Sequence, residues 1–388
     1  MRLKIVGDAG TGKTHTIIKY AQAFDARILT HTRVATKVIK QRAPELQCST
    51  LHSLALNYSE FLEVAKNSLK IGIDKIRAEF CRKIGLPFSL DPYIVKEGNV
   101  MFNTYCKLVN TLYPDGIVED RKLERFIRSY ETFKRERGYI DYEDMLKYLY
   151  DMSELGNLVL GRVIVDEAQD LSPLQYKIIN SSSETLIAAG DELQSIFSFH
   201  GATPKLFENF GDKMKILKKN YRIKSEIWKF SGEIVKKQLK RERAEAVNEG
   251  GVVQILPPAN HRQIAEFIEN LPGKKMVLLR YNEDVLMLRK MVEDENAIID
   301  TIHACKGLEC NTVVLVDGVN SHEFDEEERR VWYVGATRAI DHLIIIPLAT
   351  KYSFLAYVYD LGEKTSPREA IETRKRMIEE SKKIYTTY

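Results

Sequence analysis

The feature that most constrains the fold is a glycine-rich segment, GDAGTGKT, at residues 7–14. It matches the pattern G-x-x-x-x-G-K-[ST], follows the short apolar strand RLKIVG and opens a helical stretch over residues 14–24. In that context the glycines let backbone N–H groups approach phosphates, and the helix N-terminus adds a favourable dipole. We therefore predict a nucleoside triphosphate site in which Lys13 reaches the β- and γ-phosphates and Thr14 ligates Mg²⁺. The predicted nucleotide-binding residues of the segment are Gly7, Ala9, Gly10, Thr11, Gly12, Lys13 and Thr14.

Two acids follow a second apolar strand. The strand is predicted over residues 158–165, directly before Asp166 and Glu167. A carboxylate pair at the end of a buried strand suits a metal–phosphate site, because Mg²⁺ prefers oxygen ligands. Asp166 would hold Mg²⁺, directly or through water, and Glu167 would orient and polarise the attacking water.

Strands and helices alternate along most of the chain, which is typical of parallel α/β domains. Helical periodicity dominates from about residue 58 to residue 157, where strand signals are sparse. The alternation resumes at residue 158 and continues in the second half of the chain. The predicted organisation is a first α/β domain at residues 1–57 and 158–215, a helical insertion at residues 58–157, and a second α/β domain at residues 216–388, which ends in a charged helix.

Composition excludes several other classes of protein. Hydrophobic residues make up 44% and charged residues 29%, as in ordinary globular proteins. Apolar runs are far shorter than the roughly 20 residues that span a bilayer, and no signal peptide is recognisable, so we expect an intracellular protein without a membrane partner. The five cysteines form no C-x-x-C pair, which disfavours zinc and iron–sulfur sites. Residues 205–243 carry 13 Lys/Arg against 5 Asp/Glu, which fits either phosphate contacts or a solvated helix face.

Seven further segments narrow the function. In chain order they are TLHS at residues 50–53, DYEDML at 141–146, DEAQD at 166–170, GDELQSIFSFHGA at 190–202, NYR at 220–222, TIHACKGLE at 301–309 and ERRVWYVGATRA at 328–339. Jointly, and in this order, they resemble the motifs of superfamily 1 helicases of the UvrD/Rep/PcrA type. The resemblance implies two RecA-like P-loop domains, and an ATP-dependent enzyme that moves on single-stranded DNA from 3′ to 5′.

The resemblance also implies roles around the nucleotide. Gln194 would sense the γ-phosphate, and Arg222 and Arg338 would act as arginine fingers that stabilise charge on the transferred phosphoryl group. Tyr221 would stack on the base. Two further residues are similar in position to family residues near the nucleotide, His15 and Glu309, although Glu309 could equally serve as a cap or an ion-pair partner.

A second set of residues would contact nucleic acid. Phe197 and Phe199 fall where the family has base-stacking aromatics, and His31 takes the place of another. The family resemblance also suggests backbone contacts for His52, His303 and Lys306. Isolated phenylalanines are more often core residues and isolated histidines more often structural, so packing roles remain alternatives at this point.

This sequence departs from the family pattern in three ways. It shows no glutamine-bearing segment ahead of the P-loop, which favours looser nucleotide selectivity than strict ATP use. Histidines stand where the family has arginine, at His15 and His200. About 80 residues separate Arg222 from Thr301, enough for core strands and helices but not for the family's large accessory domain.

Three activities remain open from the sequence. The first is a DNA helicase acting on tailed or forked duplexes. The second is a translocase that does not unwind but displaces proteins, or a module that needs a protein partner to unwind. The third is an RNA-directed ATPase, because backbone contacts and stacking do not depend on the sugar.

Overall fold

A computed structural model describes residues 1–58, 62–112, 120–320 and 325–386. Parts of the predicted helical insertion (59–61 and 113–119) and the end of the predicted C-terminal helix (387–388) lie outside the described residues. The chain divides into two compact units. Residues 1–7 and 12–217 form the first unit, and residues 8–11 together with the chain from residue 218 onward form the second.

The first unit is built on a six-stranded parallel sheet with the order β3-β2-β4-β5-β1-β6. Its strands are β1 (Arg2–Gly7), β2 (Arg27–Thr30), β3 (Cys48–Thr50), β4 (Gly161–Val165), β5 (Ser183–Gly190) and β6 (Lys213–Leu217). In the centre of the sheet, Val6 pairs with Gly190 and Val165 with Ala188, so these strands end at nearly the same level. The central strands are apolar and buried on both faces, as expected for a parallel sheet covered by helices.

Ten helices accompany this sheet in the described residues. They are α1 (Lys13–Phe24), α2 (Arg33–Arg42), α3 (Leu51–Tyr58), α4 (Leu62–Ile71), α5 (Ile73–Lys83), α6 (Glu97–Asn110), α7 (Arg121–Arg137), α8 (Tyr142–Glu154), α9 (Pro173–Ser182) and α10 (Pro204–Glu208). Ile17 of α1 and Ile39 of α2 pack with Ile5, Ile28 and Ile164 on one face of the sheet. Side chains of α3, α8 and α9 pack on the other face. The sheet therefore has a hydrophobic core on each side.

Helices α5, α6 and α7 form a separate aromatic core. Phe102 lies at its centre, with ring centroids 4.7 Å from Tyr130 and 4.9 Å from Phe126. Phe80 and Phe133 complete the cluster, and both are 1% exposed. Such edge-to-face rings bury large apolar areas, so this helical part can be stable without a strand of its own.

Buried charges join this aromatic core to α8. Asp141 and Asp144 form a capping box at the N-terminus of α8, where negative charge is favoured by the helix dipole. Lys134 of α7, 2% exposed, donates to both carboxylates at 3.2 and 2.7 Å. Arg77 of α5 donates to Glu143 at 2.9 Å. Because α8 also packs on α3 and α9, these ion pairs fix the helical part against the sheet layer.

The second unit contains another six-stranded parallel sheet, with the order β11-β10-β12-β13-β9-β14. Its strands, together with the short pair β7 and β8, are β7 (Lys219–Asn220), β8 (Glu245–Ala246), β9 (Val252–Ile255), β10 (Lys275–Leu279), β11 (Ala297–Thr301), β12 (Cys310–Asp317), β13 (Ala339–Pro347) and β14 (Glu363–Lys364). Its helices are α11 (Ser225–Ile234), α12 (His261–Asn270), α13 (Asn282–Arg289), α14 (Glu326–Ala336) and α15 (Pro367–Thr386). Between Arg222 and Thr301 the chain forms β9, β10 and β11 of this sheet, the helices α11, α12 and α13, a 3₁₀ turn at Lys236–Gln238, and β8, which pairs with β7 in a separate two-stranded sheet. The α/β fold with two parallel sheets predicted from the sequence is confirmed.

One predicted boundary was wrong. The strand expected over residues 158–165 begins only at Gly161, whose φ of +68° bends the backbone. Leu158 and Leu160 precede the bend and are buried at 2% and 5% exposure, so their hydrophobicity reflects packing of a loop. No helix in the described part of the chain is both long and apolar enough to cross a bilayer.

We expect removal of Arg77 to destabilise the first unit strongly. Arg77→Ala would leave the Glu143 carboxylate, whose side chain is 7% exposed, buried without its cation. Breaking a buried pair from one side costs about 3–5 kcal/mol. Urea denaturation followed by circular dichroism should detect the loss.

The matched control is Arg128→Ala, which removes a pair with Glu124 on the surface of α7, where the arginine side chain is 80% exposed. That change should stay within about 0.5 kcal/mol. Equal effects of the two substitutions would contradict the structural role assigned to Arg77.

Candidate nucleotide and nucleic-acid site

The motif segments that follow the strands of the first sheet meet at one edge of that sheet, although residues 8–11 of the P-loop belong to the second unit. The P-loop follows β1, His31 follows β2, Asp166 follows β4 and Asp191 follows β5. These four strands are neighbours and parallel, so their carboxyl ends lie side by side. This edge is where open α/β sheets bind ligands.

The P-loop has the backbone conformation that its glycines allow. Gly10 and Gly12 have φ of +76° and +79°, in the left-handed region that side chains disfavour. Gly12 directly precedes α1, so the first N–H groups of the helix open onto the loop. Lys13 is 9% exposed and its Nζ donates to the Gly7 carbonyl at 2.8 Å. Ala9 and Thr11 are buried within the loop, whereas His15 is exposed on the first turn of α1.

Thr14 and Asp166 come together as the sequence predicts for a metal site. The Thr14 hydroxyl donates to Asp166 Oδ2 at 3.3 Å. Burial, reinforced by repulsion from Glu167, raises the pKa of Asp166 to about 7, and Lys13 opposes the shift. A cation beside this carboxylate would favour its ionised form. Among the described residues no group of three His, Cys, Asp or Glu side chains could hold a metal by itself, so a metal here would also need ligand oxygens from a bound nucleotide.

Glu167 stands in a strained position. Its φ is +52°, one of three positive values at non-glycine residues in the described chain. Its carboxylate Oε2 accepts from Gln169 Nε2 at 2.6 Å. A strained backbone conformation persists only where the surrounding contacts hold the residue in it, and such residues are common at functional sites.

Gln194 lies one short turn beyond the end of β5. Its Nε2 donates to Asp191 Oδ2 at 2.6 Å, and the two residues are buried, at 4% and 0% exposure. The Asp191 N–H in turn donates to Gln169 Oε1 at 3.0 Å. Hydrogen bonds therefore run from Glu167 through Gln169 and Asp191 to Gln194.

Four rings form what we call the aromatic ridge: Phe197, Phe199 and His200, which continue from this segment, and His31, which follows β2. His31 stacks on Phe197 with centroids 5.8 Å apart and planes at 25°. Phe199 lies 5.8 Å from Phe197 and 4.4 Å from His200. Phe199 is 43% exposed, which rules out the core role considered for it. Exposed rings on a rigid segment are suited to stacking on bases.

A cavity of about 340 Å³ lies beside the ridge in the same unit. His31, His52 and His200 line it, together with Arg77, Tyr142 and Asp170. The His52 ring meets Tyr142 edge to face at 5.2 Å. Burial lowers the pKa of His52 to about 4, with repulsion from His31 and Arg33 adding to the effect. His52 is therefore neutral near pH 7, so it can offer a phosphate a hydrogen bond but no positive charge.

In the second unit, Arg222 and Glu309 form an ion pair, with Arg222 Nε 2.5 Å from the carboxylate. This contact agrees with the ion-pair alternative considered for Glu309. Tyr221 is 61% exposed, so its ring is accessible for stacking. His303 and Lys306 lie in the turns that follow β11, and both are partly buried.

Arg338 differs from the simplest expectation for an arginine finger. It is 2% exposed. Its guanidinium donates to the carbonyls of Val334 at 2.9 Å and Leu308 at 3.3 Å, and to Thr337 Oγ1 at 3.2 Å. In this conformation the side chain is anchored within its own unit, and the finger role stays a prediction.

Gln169 and Asp191 belong to two of the sequence motifs, but the sequence alone assigns neither residue a role. Their importance depends on contacts across 22 positions of the chain, which no local spacing reveals. His200 is recognisable in the sequence only as a departure from the family pattern. Its place between Phe199 and the cavity does not follow from periodicity.

Comparison with protein families agrees with these motifs. Residues 26–215 match the family described as UvrD/REP helicase N-terminal domain, and residues 296–346 match the UvrD-like helicase C-terminal domain. The chain belongs to the UvrD/Rep helicase family. The N-terminal match covers the acid pair and the aromatic ridge, and the C-terminal match covers His303, Lys306 and Arg338.

Relatives from several bacteria share this similarity. The Bacillus subtilis protein YjcD, named for an ATP-dependent DNA helicase, is 27% identical over 47% of this chain and 27% of its own length. DNA helicase IV of Escherichia coli is 25% identical over 55% of this chain and 38% of its own. DNA helicase II of Haemophilus influenzae is 27% identical over 32% and 20%. The chain thus spans less than two fifths of the length of each of these relatives.

Among solved structures, the arterivirus nonstructural protein 10 helicase is similar at 13% sequence identity, covering 92% of this chain and 61% of that chain, with a TM-score of 0.44. That similarity is too distant for a comparison of sites.

We expect Phe199→Ala to weaken single-strand binding without unfolding the protein. Stacking on a base contributes about 1–3 kcal/mol, so the Kd for a single-stranded oligonucleotide should rise by about 5- to 150-fold. The ring is 43% exposed, so the melting temperature should change little. Fluorescence anisotropy and thermal melting on the same preparation measure both.

Phe207→Ala is the control, since Phe207 is 2% exposed in the core of the same unit. It should cost about 3–5 kcal/mol of stability. A Phe199→Ala variant that melts early and binds DNA normally would contradict the stacking role.

Proposed function

We propose that this protein is an ATP-dependent translocase and helicase that moves on single-stranded DNA, with 3′-to-5′ polarity. The observation that carries the proposal is the convergence of a P-loop, an acid pair and an exposed aromatic ridge on one edge of a parallel sheet. Membership of the UvrD/Rep family supports it. The polarity rests on the family resemblance.

The P-loop side of the site suits a triphosphate with Mg²⁺. Lys13 is placed within the loop to neutralise phosphate charge, and the α1 N-terminus adds N–H donors. The Thr14 hydroxyl and the Asp166 carboxylate supply hard oxygen ligands 3.3 Å apart, which fits Mg²⁺. Bound ATP supplies the free energy of hydrolysis for movement. Glu167 is proposed to orient the attacking water and accept its proton.

The aromatic ridge is proposed to hold the DNA strand. Phe199 and Phe197 offer faces on which any base can stack, so binding would tolerate many sequences. His31 extends the same stack. Neutral His52 would hydrogen-bond the backbone, and in the second unit His303 and Lys306 are the proposed backbone contacts.

Five residues complete the proposed nucleotide site on family grounds. Exposed Tyr221 is proposed to stack on the base, and His15 to lie near it. Arg222, held by Glu309, is the better-placed finger candidate because its side chain is 35% exposed, against 2% for Arg338 as a residue. Release of Arg222 from Glu309 would free the guanidinium for phosphate charge.

A translocase that displaces proteins without unwinding is the second candidate. The stretch between Arg222 and Thr301 forms only sheet elements and covering helices, so no separate duplex-engaging domain is inserted there. In that case a protein partner would supply the unwinding function. An RNA-directed ATPase is the third candidate, because stacking on the ridge involves only the faces of the bases and does not depend on the sugar.

We expect the ATPase to need Mg²⁺ and to be stimulated by single-stranded DNA. Lys13→Ala should abolish turnover, because the phosphate charge loses its cation. Glu167→Gln keeps the side-chain size but removes the base, so kcat should fall by about 10²–10⁴-fold with nucleotide binding retained. Phosphate release measures turnover, and a fluorescent nucleotide analogue measures binding.

Lys19→Ala serves as the control, since Lys19 is an exposed lysine on the same helix α1. Its turnover should match that of the unmodified protein. Normal turnover in Glu167→Gln would contradict the proposal that Glu167 accepts the proton of the attacking water.

We expect strand displacement, if the protein unwinds alone, from duplexes with a 3′ tail and not from 5′-tailed or blunt ones. A strand that threads over the ridge in one direction would need a free tail of that polarity. Fluorescence-quenched duplexes of DNA and RNA, each with a parallel ATPase reading, distinguish the three candidates. Turnover stimulated by a tail without displacement would favour the protein-displacing translocase, and stimulation by RNA alone would overturn DNA as the substrate.

A further inference from the structure

Gln169 is the residue on which the hydrogen bonds of the nucleotide site converge. Its side chain is 0% exposed. Nε2 donates to Glu167 Oε2 at 2.6 Å, and Oε1 accepts from the Asp191 N–H at 3.0 Å. The Gln169 carbonyl also accepts from Ser195 Oγ at 3.1 Å. One buried residue thus touches the end of β4 and two places in the segment that follows β5.

The orientation of the amide is determined by chemistry. A backbone N–H can only donate, so the oxygen of the amide must face Asp191. The NH₂ group then faces the Glu167 carboxylate, whose Oε2 accepts from it. Reversing the amide would set a donor against a donor and an acceptor against an acceptor. The side chain therefore has one satisfied orientation.

Gly190 shows how closely the amide is held. A Cβ added at Gly190 would lie 2.5 Å from Gln169 Oε1, far inside van der Waals contact. The φ of Gly190 is not among the positive values, so the glycine is needed for space at this position. The end of β5 and the Gln169 amide are packed so that neither can move alone.

We propose that Gln169 is a positioning residue that holds Glu167 and makes its orientation depend on the segment from Asp191 to His200. This inference rests on the proposed function of the same site. Through Asp191 the side-chain amide is linked to Gln194. The backbone carbonyl of Gln169 accepts from Ser195 Oγ, and the chain continues from Ser195 into Phe197 and Phe199. A displacement of that segment by a bound strand would reach the Glu167 carboxylate through two short hydrogen bonds. Gln169 thereby couples DNA binding to hydrolysis.

Gln169→Glu and Gln169→Ala test the positioning role. The glutamate would place a carboxylate 2.6 Å from Glu167 Oε2, where like charges repel, and the alanine removes both contacts. We expect kcat with saturating single-stranded DNA to fall by about 10- to 100-fold, since small misplacements of a catalytic group cost that much. The KM for ATP and the Kd for single-stranded DNA should stay within about threefold. The ratio of DNA-stimulated to basal turnover should fall as well.

Gly190→Ala provides an independent test, because it displaces the amide without removing a functional group. Alone it should reproduce the loss of kcat and of DNA stimulation. Combined with Gln169→Ala it should add little to the loss of kcat, since the contact at 2.5 Å is gone and the two sites are in contact. The other close neighbour of the new methyl group, Phe207 at 3.0 Å, packs in the hydrophobic core, so that contact should affect the melting temperature. Additive losses in the double variant would overturn the inference.

Gln254→Ala controls for the loss of a buried amide. Gln254 is 1% exposed in β9 of the second unit, where it hydrogen-bonds His342 at 2.8 Å. Its removal should lower the melting temperature and leave kcat and DNA stimulation unchanged. The same pattern in Gln169→Ala, early melting with normal turnover, would make Gln169 merely structural.

The two proposals fail differently. If the unmodified protein hydrolyses ATP without any response to single-stranded DNA, the proposed function is wrong. The proposed coupling of DNA binding to hydrolysis through Gln169 is then wrong as well. The basal kcat of the Gln169 variants still tests the positioning of Glu167 in that case. If the unmodified protein responds to DNA and the Gln169 variants respond equally, only this inference is overturned.

Discussion

The parallel arrangement of four neighbouring strands is the constraint on which the rest of the first unit depends. β1, β5, β4 and β2 all run in the same direction, so the loops that follow them must emerge at one edge. The paired positions Val6 with Gly190 and Val165 with Ala188 keep the strand ends level. A shift of one residue in either pairing would turn each inward side chain to the opposite face of the sheet and move Asp166 away from Thr14. The hydrophobic cores on both faces hold the strands in this register. The positions of the polar site residues depend on that register, because these residues follow directly after the strands.

The same unit keeps its buried charges in two places with different consequences. In the helical part, Lys134 and Arg77 have carboxylate partners at hydrogen-bonding distance, and these pairs specify how α7 and α5 meet α8. At the sheet edge, Asp166 lies beside a second acid, and its pKa is raised to about 7. Burial and repulsion from Asp141 raise the pKa of Asp144 to about 7 in the same way, so the shift does not by itself separate the two places. The neighbours of the two carboxylates differ instead. Asp144 accepts from the buried Lys134 amine at 2.7 Å, whereas Asp166 accepts from the Thr14 hydroxyl at 3.3 Å at the sheet edge beside the P-loop. That position makes Asp166 the candidate for a cation site.

Much of this could be predicted from the sequence, and the missing parts have identifiable causes. The P-loop, the acid pair and the helical character of the insertion follow from local patterns, and so does the α/β class. Strand β6 could not be recognised, because KMKIL has two lysines on an exposed edge strand that charge protects from further pairing. The start of β4 was misplaced because buried leucines in a loop look like strand residues. The exposure of Phe199 and the burial of Arg338 depend on tertiary packing, which a single sequence does not record.

Little chain separates the aromatic ridge from the proposed nucleotide site. Gln194 and Phe199 are five positions apart, and only two short 3₁₀ turns, at Glu192–Gln194 and Ser198–His200, lie between the end of β5 and Gly201. Gly201, with φ of +89°, ends the second turn and lets the chain leave at an angle that a side chain would resist. The segment is tied to Gln169 at two points, by the Asp191 N–H and by the Ser195 hydroxyl. The exposed ring of Phe199 offers a face on which a base can stack. Phe199 and Gln194, the proposed γ-phosphate sensor, therefore lie on one short segment, so a movement of Phe199 on binding a base would be transmitted to Gln194 over only five residues.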